Sequence, residues 1–264
     1  MPSRSCYFMQ AFCHDCLRRM TLSFRLALQF LTRIPVPVRF EPTAEQWGWS
    51  VFSFPFVGLV IGLILVALFL AMPDGDPGVV AALLLAVWAF TTGGLHLDGL
   101  ADAADAWIGG YGDRERSLAI MKDPRSGAIA VMVVSLTLIA KFAGLQAVVE
   151  GGDWSSLLLV PVLGRAAIVL ILVTTPYVRP QGIGVAHADH MPRRACIALL
   201  MAVALLTLLT FGGHGVVLLA LLGAGLLAFR RLLIQRLGGT TGDTLGAACE
   251  LVEAAAIVTL ALAA

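Results

Sequence analysis

The chain has 264 residues, of which 59% are hydrophobic and 13% charged, and its mean hydropathy is +0.89. A soluble domain is about half apolar and about a quarter charged, so this composition rules against a soluble single-core protein. The formal net charge of +1 gives no support for a nucleic-acid partner, and the placement of charge carries the information instead.

The N-terminal region holds Cys6, Cys13 and Cys16, and Cys196 and Cys249 lie in or beside apolar runs; an odd set this scattered is no disulfide framework. Cys13-His14-Asp15-Cys16 has metal-like spacing, but Cys6 is the only other thiol nearby, so reduced thiols are expected and no zinc site. No stretch before residue 50 has the pattern of a secretory signal, so membrane entry is expected from internal spans. Residues 1–21 read as an N-terminal extension, disordered or an over-called start, and 22–264 as a single membrane-embedded catalytic domain. Phe24, Leu28 and Leu31 stand near helical spacing before Arg33-Ile34-Pro35-Val36-Pro37, which predicts an interfacial helix ending at the prolines.

A hydrocarbon core about 30 Å thick takes roughly 20 apolar helical residues. Candidate spans follow near 51–72, 79–97, 128–149, 156–175, 195–211, 215–229 and 244–263. The expected fold is all-α, a polytopic integral membrane helical bundle of about seven spans, or six, since the two short stretches at 195–229 could pair as one hairpin. The basic residues outside the spans fall before residue 40, in 111–127, in 176–194 and at 230–236. The connections at 73–78, 150–155 and 212–214 have none, and two of them carry acids: Asp74 and Asp76, Glu150 and Asp153. Short basic loops stay cytoplasmic, so the N-terminus is expected inside and the C-terminus outside.

The chemistry concentrates at the inner end of the second span, in Gly93-Gly94-Leu95-His96-Leu97-Asp98-Gly99-Leu100-Ala101-Asp102-Ala103-Ala104-Asp105. At about 100° per residue, Asp98, Asp102 and Asp105 fall within about 60° of one another on a helix. Three carboxylates on one face repel unless they take up protons, meet water or hold a cation. Oxygen ligands of this kind suit Mg²⁺ or Mn²⁺. The alternative is a solvated acidic helix end, but the intervening residues are Gly, Leu and Ala rather than the mixed charges of a wet surface.

Next, Lys122 and Arg125 stand ahead of the third span, either as phosphate contacts or as ordinary membrane anchors. Gly238-Gly239-Thr240-Thr241-Gly242-Asp243 opens the last span; its glycines would let backbone amides approach a phosphate, although it is no P-loop. Glu250 and Glu253 lie two to three turns into that apolar helix, where carboxylates are costly and functional by default. Lys141 and Arg165 are also inside spans and either neutralise those acids or hold a substrate phosphate. The Pro/Gly-rich segment 174–184 is read as a cytoplasmic loop able to cover a substrate, and His187 and His190 are left outside the site.

These motifs resemble the cobalamin synthase family, the adenosylcobinamide-GDP ribazoletransferases. The resemblance runs from Leu28-Gln29-Phe30-Leu31-Thr32-Arg33-Ile34-Pro35-Val36-Pro37 through Gly93 to Asp105, Ile120-Met121-Lys122-Asp123 with Arg125 and Gly127, Gly164-Arg165, and Gly238 to Asp243, to Glu250 and Glu253. It implies that adenosylcobinamide-GDP and α-ribazole, or its 5′-phosphate, are joined with release of GMP, the last step of nucleotide-loop assembly. It also implies Mg²⁺ as cofactor and a bacterial or archaeal cell membrane, here the bacterial inner membrane with the active face cytoplasmic. Under this reading Asp98, Asp102 and Asp105 hold Mg²⁺. Asp105, Asp243 and Glu250 are the catalytic carboxylates, with Asp243 or Glu250 as the base. Lys122, Asp123, Arg125, Lys141, Arg165, Thr241 and Glu253 are the substrate contacts. Expected partners are the two substrates, the lipid bilayer, and a second copy or other cobamide-assembly enzymes. Two other readings are a CDP-alcohol phosphatidyltransferase, whose four-Asp motif is not continued after Asp105, and a cation-coupled transporter, which the lack of an internal repeat disfavours.

Overall fold

The structure is a computed structural model that describes residues 4–263, with side chains from residue 18 onward. The side chains of Cys6, Cys13 and Cys16, on which the metal-like spacing bears, lie outside those described. All regular elements among the described residues are helices, and Tyr177 and Thr240 form an isolated β-bridge.

Helix α1 (Arg4–Leu31) buries Leu26, Ala27, Leu28 and Leu31, and the chain then runs extended through the prolines, which cannot continue a helix. α2 (Ala44–Ser50) opens on a capping box formed by Thr43 and Gln46. A 3₁₀ turn at Val51–Ser53 leads into α3 (Phe54–Leu70). α4 (Pro77–Thr92) is followed by Gly93 and Gly94 at φ 62° and 71°, a left-handed pair that glycine adopts without a Cβ penalty. They turn the chain by 85° into α5 (Leu95–Gly109). The second span, expected to run unbroken over 79–97, therefore stops at Thr92, and the acidic motif sits on a separate helix beyond the bend.

Then come α6 (Arg114–Ile120), α7 (Ala128–Glu150), α8 (Trp154–Thr174), α9 (Ile183–His190), α10 (Arg193–Leu237) and α11 (Gly242–Ala263). α10 is broken at Gly212, at φ 56° and ψ −125°. A Cβ on Gly215 would sit 2.8 Å from the carbonyl oxygen of Thr207, an approach that requires the chain to double back. Its two arms, 193–211 and 213–237, are the two short stretches of the hydropathy pattern. Five helices are long and apolar enough to cross a membrane, six with the bent α4–α5 pair, and folded-back α10 counts once among them. The protein is an all-α polytopic membrane bundle.

α8 is the central helix, 78% buried over its apolar window against 17% for α10 at the periphery. It packs closely on α3 because Gly58 and Gly62, one helical turn apart, present no side chains; a Cβ there would come within 2.7 Å of Val162 Cα and 2.9 Å of Leu158 Cα. In a bilayer, where lipid competes for apolar surface, such backbone proximity is a main source of helix association.

The charge asymmetry has a local structural basis. Arg114 donates to Leu237 O at 2.7 Å, Arg236 to Trp107 O at 2.8 Å and Arg230 to Thr174 O at 2.8 Å. These guanidiniums satisfy carbonyls at the C-terminal ends of α10, α5 and α8, where cations are favoured. On the basic-free connections, Asp76 accepts from Val79 N and Asp153 from Ser155 N, capping α4 and α8. The basic loops thus meet at one end of the bundle.

Candidate active site where α5 meets α11

Helices α5 and α11 approach through Gly99 and Gly246. A Cβ on Gly99 would lie 2.8 Å from Asp243 O, and one on Gly246 would lie 3.2 Å from His96 O. This contact sets the first turn of α11 against the acidic face of α5. The α11 entry is fixed by the Tyr177–Thr240 bridge, with Thr240 N donating to Pro176 O at 2.8 Å and Val178 N to Thr240 O at 3.0 Å. Buried Thr241 exchanges hydrogen bonds with Thr244 and reaches Asp243 Oδ2 at 3.4 Å, so it shapes the turn rather than facing outward.

The result is a carboxylate group made from two helices. Asp98, Asp105 and Asp243 all press on Asp102 by like charge, and Arg179 is the opposing cation. Arg179 donates to Asp243 Oδ2 at 2.5 Å and to Met121 O at 3.5 Å. Of the expected trio Asp98, Asp102 and Asp105, the last also has backbone partners. Asp105 accepts from Gly127 N at 2.5 Å and Ala130 N at 2.9 Å, so it caps α7. Among the described residues, no three His, Cys, Asp or Glu side chains converge as a ready-made metal cage.

Two spaces flank the start of α5, and Asp98 lines both. One is a cavity of about 330 Å³ walled by Phe30, Phe54, Tyr177 and His187, with His96 and Asp243 also on its surface. The other is a wider groove of about 470 Å³ bordered by Arg33, Gly93, Gly94 and Ser126.

The intramembrane charges form a different group. Lys141 Nζ donates to Glu250 at 2.9 Å and to Glu253 at 2.6 Å, and Arg165 pairs with Glu253. Lys141 also stands 4.1 Å over the Trp88 ring. All four ionised side chains are buried, and two cations balance two carboxylates. Of the two expectations for Lys141 and Arg165, neutralising the intramembrane acids or reaching a substrate phosphate, the ion pairs match the first, and Glu250, one of the two expected bases, is paired with Lys141. Of the loop residues, Arg125 grips Asp123 through Nε at 2.9 Å and Nη2 at 2.6 Å, and these hydrogen bonds hold the Asp123 carboxyl at about 2. Lys122 is exposed and has no ion pair among the described residues.

With the geometry in view, the comparisons decide the family. The model of the family described as cobalamin-5-phosphate synthase matches residues 23–261. The chain belongs to this family. An adenosylcobinamide-GDP ribazoletransferase of Pseudomonas fluorescens (strain Pf0-1) is 50% identical over 237 residues, covering 90% of this chain and 98% of the relative. Those of Ectopseudomonas mendocina (strain ymp) and Pseudomonas aeruginosa (strain PAO1) are 50% identical over 238 residues and 49% over 248; they cover 90% and 93% of this chain, and 98% and 100% of the relatives. No solved structure matches the chain.

In this synthase-family chain, sequence reasoning missed three residues that line or organise the site. Arg179 is one of the basic residues of 176–194, and its placement depends on the bridge that draws that segment to the α11 entry. His96 lies inside the acidic motif yet was overlooked for its carboxylate neighbours. His187 was set aside as incidental; it is buried among Phe30, Trp47 and Phe54, with Nε2 3.3 Å from Ser50 Oγ, and burial lowers its pKa to about 4.

Proposed function

We propose that this chain joins adenosylcobinamide-GDP to α-ribazole or its 5′-phosphate, releasing GMP, at the cytoplasmic face of a bacterial inner membrane. The observation that carries the reading is that two differently shaped spaces meet at one carboxylate, Asp98, as a transfer between two bound substrates requires. The family membership and the names of the relatives support it.

The donor set at this junction fits Mg²⁺. Asp98 and Asp102 supply hard oxygens one helical turn apart, and their repulsion is only partly offset by Arg179. Mg²⁺ usually takes one or two carboxylates together with phosphate oxygens and water, so a closed protein cage is not needed. Asp98 and Asp102 would hold the ion, with Asp243 adjoining. When bound, it would neutralise diphosphate charge and that of the departing GMP. Asp105 is assigned to capping α7 instead.

Lys122, exposed on its loop, and Arg179, beside the carboxylates, are the cations proposed to meet phosphate oxygens, whereas Lys141 and Arg165 are buried in their own ion pairs. Asp243, on the cavity wall, is proposed to accept the proton of the ribose hydroxyl as its oxygen attacks the cobinamide-bearing phosphorus and the bond to GMP breaks. Glu250 is too deep in its ion pairs for that task.

The test is GMP release by purified, detergent-solubilised protein given both substrates, with and without Mg²⁺. Metal-dependent GMP together with a cobamide product is expected. Folded protein giving no product would overturn the reading, and CMP release from a CDP-alcohol would replace it.

A further inference from the structure

Resting on that reading, we propose that the smaller, aromatic-walled cavity seats the aromatic base of the nucleoside substrate, and that His96 is the hydrogen-bond donor that reads its ring nitrogen. The corrinoid and the diphosphate would occupy the open groove and the mouth.

The walls favour a flat apolar ring. Phe30 and Phe54 stack with centroids 6.2 Å apart, and His187 meets their faces edge-on at 5.1 and 5.3 Å. The volume of about 330 Å³ is at the lower end of ligand pockets, which run from about 300 to 1,000 Å³, and suits a nucleoside far better than a corrin ring with its side chains.

His96 supplies the polar instruction. It is 3% exposed, lines the cavity, and its Nδ1 lies 3.4 Å from Arg165 Nη2. A guanidinium has donors only, so Nδ1 must accept and the imidazole proton resides on Nε2. Nε2 is buried and has no partner among the described residues. Arg165 is itself locked by Glu253, so the tautomer is set by the buried ion-pair network. A buried N–H seeks an acceptor. An N-glycosylated benzimidazole carries one ring-nitrogen acceptor and no donor, matching a cavity that offers one unpaired donor between aromatic walls. With the base inside, the ribose is left at the mouth beside Asp98 and Asp243.

The experiment measures equilibrium binding of α-ribazole to the purified full chain by dialysis, alongside KM values for both substrates. His96→Leu is expected to weaken α-ribazole binding about tenfold or more, since it deletes a buried donor, with KM for adenosylcobinamide-GDP unchanged. His96→Gln, whose amide nitrogen can stand near the Nε2 position, is expected to recover much of the loss. A ligand-side version needs only wild-type protein: the indole riboside, with C–H in place of the ring nitrogen, should bind about tenfold more weakly than α-ribazole. Equal binding of the two ribosides, or a loss that falls on adenosylcobinamide-GDP, would overturn the assignment. Wild-type protein that binds α-ribazole in this pattern but releases no GMP would instead sink the transferase reading and leave the cavity assignment standing.

Discussion

Two groups of acids lie within a few helical turns of each other on α11 and its neighbours, and they are built on opposite electrostatic terms. In the core, Lys141 and Arg165 face Glu250 and Glu253, each charge is paired, and all four side chains are buried. At the mouth, Asp98, Asp102 and Asp243 outnumber the cations beside them, with Arg179 paired to Asp243 and Arg33 across the groove, and they border two open spaces. A closed, balanced network leaves nothing for a ligand to satisfy and acts as scaffold. An acid-rich, half-exposed cluster is electrostatically incomplete, and the proposed cation would complete it. Burial alone would have ranked the core group as the functional one; charge balance reverses that order.

The largest effect should come from unbalancing the core. Glu253→Leu strands Arg165 and leaves Lys141 only Glu250, and loss of one member of a buried pair costs about 3–5 kcal/mol. It should appear as a large drop in the thermal midpoint in detergent, or as no folded protein. Replacing Lys141 by Met together with Glu250 by Leu keeps the balance and should retain more folded protein than Glu253→Leu. At the mouth the signature is inverted. Asp98→Asn and Asp102→Asn should each cut GMP release by about 10²–10³-fold, the scale for losing one charge-stabilising group. The thermal midpoint should hold or rise, because a repelling charge is gone. Parallel loss of activity and stability at Asp102 would erase the contrast between the two groups.

The cavity wall gives a pH test. His187 remains neutral when folded down to about pH 4, whereas an unfolded histidine takes up its proton near 6.5. Between those values the unfolded chain binds more protons, so stability should rise with pH across that window and be fully present above it. The full span is worth up to about 3 kcal/mol, and His187→Phe should flatten the midpoint-versus-pH curve there. The smallest effect is expected at Asp105→Asn, which weakens the α7 cap by about 1 kcal/mol and leaves most GMP release in place. If Asp105→Asn abolishes release without moving the midpoint, Asp105 belongs with the metal ligands after all.

Much of this was legible in the linear chain. Hydropathy placed each apolar stretch, because a span must be long and continuously apolar, and the clustering of Arg and Lys located the loops that meet at the active end. The motif from Gly93 to Asp105 announced the acids. Less visible was the destination of each side chain. Asp105 shares a helical face with Asp102, yet it is captured by the N–H groups of Gly127 and Ala130 from more than twenty residues away. Lys141 and Arg165 read equally well as phosphate ligands or as counter-ions, and only the packing of α7 and α8 on α11 chose the second.

By itself, then, the sequence determined that this is a multi-span helical membrane protein with its acids and cations gathered at one end, since those properties depend on composition and on order along the chain. Tertiary structure alone decided which charges cancel, which stay open to solvent, and which ring nitrogen of His96 meets Arg165. The physical reason is that electrostatic energy depends on distances between elements, and those are set by glycine contacts such as Gly99–Asp243 and Gly246–His96 that no spacing along the chain reveals.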